Sequence, residues 1–118
     1  MLRVQVAVRG FVRFSVAEYF ENDDRVWRET HRGVEFCPLH RYERGGGAGL
    51  FRIEAGAVLP EHDHPTGEHG YVIHGSGYFG DRLLSQGDAF WVQPGERHAV
   101  RATTDLVFFA TSLPRSDV

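Results

Sequence analysis

From Gly49 onward the chain alternates apolar and polar residues in short runs, and a glycine or proline closes nearly every run. A period of two is that of a strand with one face buried. On this pattern Gly49 to Ala55, Gly70 to Ile73, Ser76 to Phe79, Asp88 to Val92, Ala99 to Arg101 and Leu106 to Thr111 are predicted strands. Upstream, Leu2 to Val8 and Phe11 to Phe14 form an extended arm split by Gly10. Val16 to Asn22 has room for a short helical turn, and Val34 to Arg41 is a strand that Pro38 marks as an edge or a bulge. Many short strands with almost no helix make an all-β sandwich or barrel. Phe90, Val92, Phe108 and Phe109 are expected in its wall, with Trp91 in the core rather than lining a pocket.

Composition narrows the class without naming a function. A chain of 118 residues fits one core. Its net charge of −3 comes from acids interspersed with arginines, lysine being absent, and gives no electrostatic case for nucleic acid or an anionic membrane. No apolar run approaches bilayer length, and the N-terminus alternates as a strand does rather than as a signal peptide. The single cysteine, Cys37, excludes an intrachain disulfide and fits a cytoplasmic protein. It sits in an apolar run and is expected to be a buried, inert thiol. The loop Gly45-Gly46-Gly47 lacks a following Lys-Ser or Lys-Thr and opens no helix, so it is not a phosphate cradle.

The chemistry is concentrated between Gly56 and Gly75. His62 and His64 lie two residues apart, so in a strand both project to one side, about 7 Å apart along the backbone. Pro65-Thr66-Gly67 then makes a turn that returns Glu68 beside them. His98 follows a second glycine-rich turn far downstream. Alone, a His-x-His pair would be two solvated loop histidines beside Glu61 and Asp63. The complete spacing, Gly56, His62, His64, Glu68 and Gly75, is expected by chance only about four times in ten thousand such chains.

These residues resemble the two signature motifs of the cupin superfamily. The first matches at Gly56, His62, His64, Glu68 and Gly75, the second at Gly87, Gly95 and His98, with departures at Gln93 and Ala102. The stretch from Asp24 to Phe109 is most similar to the ChrR-like cupins, on Trp27, Gly33-Val34, Cys37-Pro38-Leu39, Leu50 to Ile53, and Gly75 to Phe79 followed by Gly87-Asp88. The resemblance implies a small jelly-roll barrel over residues 24–112 carrying an N-terminal strand arm over 1–23, one domain in all. It also implies that His62, His64, Glu68 and His98 hold one divalent transition metal ion: iron, zinc, manganese or nickel. Imidazole and carboxylate donors suit such metals, whereas calcium and magnesium take oxygen shells.

Two functions follow from that resemblance. One is a dioxygenase-like enzyme acting on a small dicarbonyl or aromatic compound, an isomerase being a weaker option. The other is a non-catalytic metal- or ligand-sensing module akin to the cupin domain of anti-sigma factors. Only about twenty residues precede Asp24, and they hold no Cys/His cluster, so sigma binding through a separate zinc domain is not expected. The acetylacetone-cleaving relatives use three histidines; Glu68 makes this site closer to the general four-ligand cupin. The partner is a small molecule, and the apolar arm from Leu2 to Phe14 predicts a homodimer. Among the other polar groups, His69 and His74 are expected on the surface, His31 and His40 without partners, and Arg52 paired with Glu54. Tyr71 and Tyr78 are candidate pocket hydroxyls. Catalytic residues are not assigned.

Overall fold

The computed structural model describes residues 17–116, together with the backbone of two N-terminal strands. Those strands, β1 (Gln5–Val8) and β2 (Phe11–Phe14), pair with each other as an antiparallel hairpin. The arm's side chains, and the remainder of the segment on which the dimer expectation rests, lie outside the described residues. One 3-10 turn, Asn22–Asp24, replaces the short helix expected slightly earlier. Ten further strands follow. They are β3 (Arg28–His31), β4 (Val34–Arg41), β5 (Gly47–Ile53), β6 (Val58–Asp63), β7 (Glu68–His74), β8 (Ser76–Phe79), β9 (Arg82–Ser85), β10 (Ala89–Val92), β11 (Arg97–Ala102) and β12 (Leu106–Ser112). No helix among the described residues is long and apolar enough to cross a membrane.

The strands form two antiparallel sheets, one ordered β10-β7-β12-β5-β4-β3 and the other β6-β11-β8-β9. Non-consecutive neighbours, such as β12 between β5 and β7, are the mark of a jelly roll. Val34, Ile53, Leu59, Val72, Phe79, Val100, Leu106 and Phe108 are all buried between the inner faces. Alternation along each strand supplies this core: in β12, Leu106, Phe108 and Ala110 face inward while Val107 and Phe109 are only half-buried. Phe109 therefore belongs to the outer face, not to the wall interior.

Aromatic rings fill one side of the barrel. Phe36 meets Phe51 at 4.8 Å, and Phe51 stacks on Phe108 at 5.0 Å and 18°. Phe108 then meets Phe79 at 5.1 Å and Phe90 at 5.9 Å. Trp91 departs from expectation. Its register partner is His69, on the outward face of β7, so its ring is half exposed and packs at a tilt against the His69 imidazole at 4.5 Å. Pro38 does mark an irregularity, since the β4–β5 register shifts between Pro38 and Arg41. Cys37 is a buried free thiol.

Candidate metal centre

His62 stands near the end of β6, and its register partner on β11 is His98. Directly opposed residues on neighbouring strands present their side chains on the same face. His64 follows one residue after β6 ends, and Glu68 opens β7 in the other sheet. The cluster thus bridges both sheets at one end of the barrel. One ligand-type atom from each of His62, His64, Glu68 and His98 can be chosen so that all lie within 4.8 Å of one another. The imidazole centroids are 4.4 Å apart for His62 and His64, 4.7 Å for His64 and His98, and 5.6 Å for His62 and His98.

The two glycine-rich turns converge on His64. Its backbone carbonyl accepts hydrogen bonds from Gly67 N at 3.1 Å and Gly95 N at 3.0 Å. Its Nδ1 lies 2.7 Å from the Glu96 carbonyl oxygen, which can only accept, so Nδ1 carries the proton and donates. His62 Nδ1 is held in the same way by the Pro60 carbonyl at 2.9 Å. In both rings it is the opposite nitrogen, Nε2, that this arrangement leaves available to a metal ion. Backbone carbonyls that fix ring and tautomer in this manner are the usual support for metal-ligating histidines.

His64 tests whether a cation fits. Its side chain is 2% exposed, and Nε2 is buried with no hydrogen-bond partner among the described residues; Glu68 Oε1 is 3.9 Å away. An orphaned buried polar nitrogen of this kind costs about 1–3 kcal/mol. An ion bound by Nε2 removes that cost, so the donor set fits a metal with imidazole and carboxylate preference.

Burial opposes positive charge on His62 and His98. Burial lowers the pKa of His98 to about 4, with smaller contributions from the charges of His64 and His62. Burial also lowers that of His62, opposed by its bond to Pro60 and assisted by His64, Arg97 and His31. Burial raises the pKa of Glu68, against the attraction of His64. Two imidazoles that burial disfavours as cations and one carboxylate that burial disfavours as an anion are an arrangement that a bound cation would stabilise.

Other sequence expectations resolve differently. Arg52 pairs with Glu35 at 3.0 Å, not with Glu54, and its guanidinium lies 4.0 Å over the Trp27 ring. His40 has a partner after all, Glu18 at 2.6 Å. Tyr71 is exposed on the outer face, and Tyr78 lies under Arg101 at 4.8 Å. Neither tyrosine lines the cleft beside the cluster. That cleft, about 430 Å³, runs over the inner face of β3, β4, β5 and β12 and ends on Glu68. A second hollow of about 310 Å³, lined by His64, Glu68, Arg44 and Arg115 among others, adjoins it at Glu68. Neither cleft was foreseen from sequence, because both depend on which strands are neighbours.

A jelly-roll barrel with three histidines and a glutamate gathered at one end is the architecture of a cupin. More narrowly, the sequence matches the ChrR cupin-like domain over residues 15–115, and the chain belongs to that family. No curated protein matches it by sequence. Among solved structures it is similar to KdgF from Halomonas sp. at 28% identity and a TM-score of 0.70, covering 85% of this chain and 97% of that one. It also resembles the Rhodobacter sphaeroides complex of SigE with the anti-sigma ChrR, at 23% identity and a TM-score of 0.67 over 79% of this chain and 51% of that one. An acetylacetone dioxygenase from Acinetobacter johnsonii shares the fold at 16% identity and a TM-score of 0.72, over 87% of this chain and 80% of that one.

Proposed function

We propose that the chain is a small metal-dependent enzyme of the non-haem dioxygenase kind, acting on a small dicarbonyl or aromatic compound. Its ligands are His62, His64, Glu68 and His98, and its ion is a divalent transition metal such as iron, zinc, manganese or nickel. The observation that carries this reading is the open cleft ending on Glu68. A purely structural ion would be expected in a closed shell, whereas catalytic sites keep a position open toward a pocket.

When bound, the ion would supply Lewis acidity and, if redox-active, a route for electrons to dioxygen. The chain's own contributions are orientation and exclusion. The Glu96 and Pro60 carbonyls lock the His64 and His62 rings. Phe79 and Phe90, 6.3 and 6.1 Å from the His98 ring, shield its inner side from water. Glu68 faces both the cluster and the cleft, so it offsets cationic charge where a substrate would arrive.

Oxygen consumption by the iron-loaded protein with a panel of diketones and small aromatic compounds tests the reading. Uptake with at least one compound, abolished in His98→Ala, is the expected result. No turnover with any of the four metals, together with saturable ligand binding, would favour the sensing module, which membership of the ChrR family supports. We assign residues 24–112 to the barrel and 1–23 to an arm that makes a homodimer. A monomer by light scattering at micromolar concentration would refute the dimer.

A further inference from the structure

The cleft beside the metal cluster has a composition that selects one kind of ligand. Three rows of register partners cross its floor. Arg28 pairs with Phe36, Phe36 with Phe51 and Phe51 with Phe108. Pro38 pairs with Gly49 and Gly49 with Ala110. Arg41 pairs with Gly47 and Gly47 with Ser112; the next residue pair, Thr111 with His69, brings Ser112 to the level of Glu68. Because opposed residues share a face and Phe108 points into the barrel, all three rows point inward. Ala110 and Ser112 carry small side chains, and glycine at position 49 lets the Phe36 ring lie across it, where a Cβ would strike that ring. Phe36 is thereby seated in the floor of the cleft rather than standing clear of it.

Charge at the two ends differs. Arg28 and Arg41 both line the far end, and neither has an ion pair or hydrogen bond among the described residues. Other arginines are engaged: Arg52 with Glu35, Arg97 with Glu61, Arg101 on Tyr78. His40, also in the lining, is already bonded to Glu18. Among the described residues Glu68 is the one acid in the lining, and it lies at the opposite end, in the candidate metal cluster. From β4 to β7 is three strand spacings, about 14 Å, which the long Arg41 side chain shortens. Guanidinium groups present paired N–H donors that match a carboxylate, and they do so best where the surroundings are partly apolar. Phe36, Phe51 and Pro38 provide those surroundings.

We propose that the cleft is a carboxylate-recognition groove. Arg28 and Arg41 hold the carboxylate of a small organic acid, Phe36 and Phe51 pack against its apolar body, and its other end points at Glu68 and the metal cluster. This names the substrate class for the function proposed above, and only the direction in which the ligand lies rests on that reading.

Benzoate and its uncharged counterpart benzamide are the probes, added to the zinc-loaded full chain and followed by 1H–15N NMR. Benzoate is expected to shift Arg28, Arg41, Phe36 and Phe51 saturably and to bind at least tenfold more tightly than benzamide. The Arg28→Gln/Arg41→Gln double variant should lose that preference while keeping the wild-type zinc content and the zinc-induced rise in Tm. Equal binding of the two probes, no shift at these residues, or undiminished benzoate preference in the double variant would overturn the groove. If zinc fails to bind the wild type while metal-free protein still prefers benzoate, the groove stands and the metal reading falls.

Discussion

Replacing His64 by leucine separates what the ion does for stability from what the side chain does. Leucine has a similar bulk and no polar atom. In the metal-free protein the change removes a buried Nε2 with no partner, relieving about 1–3 kcal/mol. It also leaves the Glu96 carbonyl without its Nδ1–H donor, forfeiting about 1 kcal/mol for that bond and something for the unpaired oxygen. The two nearly cancel, so metal-free His64→Leu should match metal-free wild type to within about 1 kcal/mol. With metal the variants diverge. At free zinc about 1,000 times Kd, an ion that binds only the folded wild type adds about 4 kcal/mol. For a domain of this size that is about 16 °C in Tm. Thermal denaturation with zinc and with EDTA, for both proteins, supplies the four values. A zinc-dependent rise of wild-type size in His64→Leu would refute the assignment of Nε2 as a ligand. Metal-free destabilisation above about 3 kcal/mol would show instead that His64 is chiefly a packing residue.

Further predictions concern the groups around it. In the metal-free protein, ring 15N shifts should show His98 titrating with a midpoint about 4. Below the ordinary value of 6.5 the unfolded chain takes up protons at His98 and His62 that the folded chain resists, so stability should fall as pH drops from 6.5 toward 4. Glu68, raised by burial, acts in the opposite sense above 4.5, and Glu68→Gln isolates the histidine part; stability flat or rising over that fall would contradict the shifts. Phe108→Ala should cost about 3–5 kcal/mol in urea denaturation, since the buried ring touches Phe51, Phe79 and Phe90; a cost below 1 would show the aromatic wall to be loose. Gly56 and Gly75 both have left-handed backbone, with φ of +84° and +77°. A methyl at Gly56 meets open space, whereas one at Gly75 strikes the Asp105 carbonyl. Gly56→Ala should therefore cost about 1–2 kcal/mol and Gly75→Ala at least twice as much; equal costs would refute the difference.

The gathering of the candidate ligands was legible because, His98 apart, their spacing is local. His62, His64 and Glu68 sit within seven residues, around the turn that leads from β6 in one sheet to β7 in the other, and the Gly67 and Gly95 amides that clasp His64 belong to turns visible as glycine in the sequence. Short alternating runs likewise gave the all-β class. What alternation cannot supply is which strand lies beside which. Arg52 has Glu35 as its cross-strand register partner, so the nearer choice in sequence, Glu54, was misleading. Trp91 looked like core by residue type, but pairing with His69 fixes its face as the outer one. β3 and β9 went unrecognised, since β3 (Arg-Glu-Thr-His) holds no apolar residue and β9 (Arg-Leu-Leu-Ser) sets its two leucines side by side instead of alternating them. The Arg28 and Arg41 cleft was hidden for the same reason, since it is assembled by register across β3, β4, β5 and β12.

The most direct trial of the metal centre is anomalous diffraction, at the absorption edge of the bound metal, from crystals of protein purified without chelator. One peak is expected, with Nε2 of His62 and His64, a ring nitrogen of His98 and a carboxylate oxygen of Glu68 each about 2.0–2.2 Å away. A peak elsewhere, or one from which His98 turns away, would contradict the account.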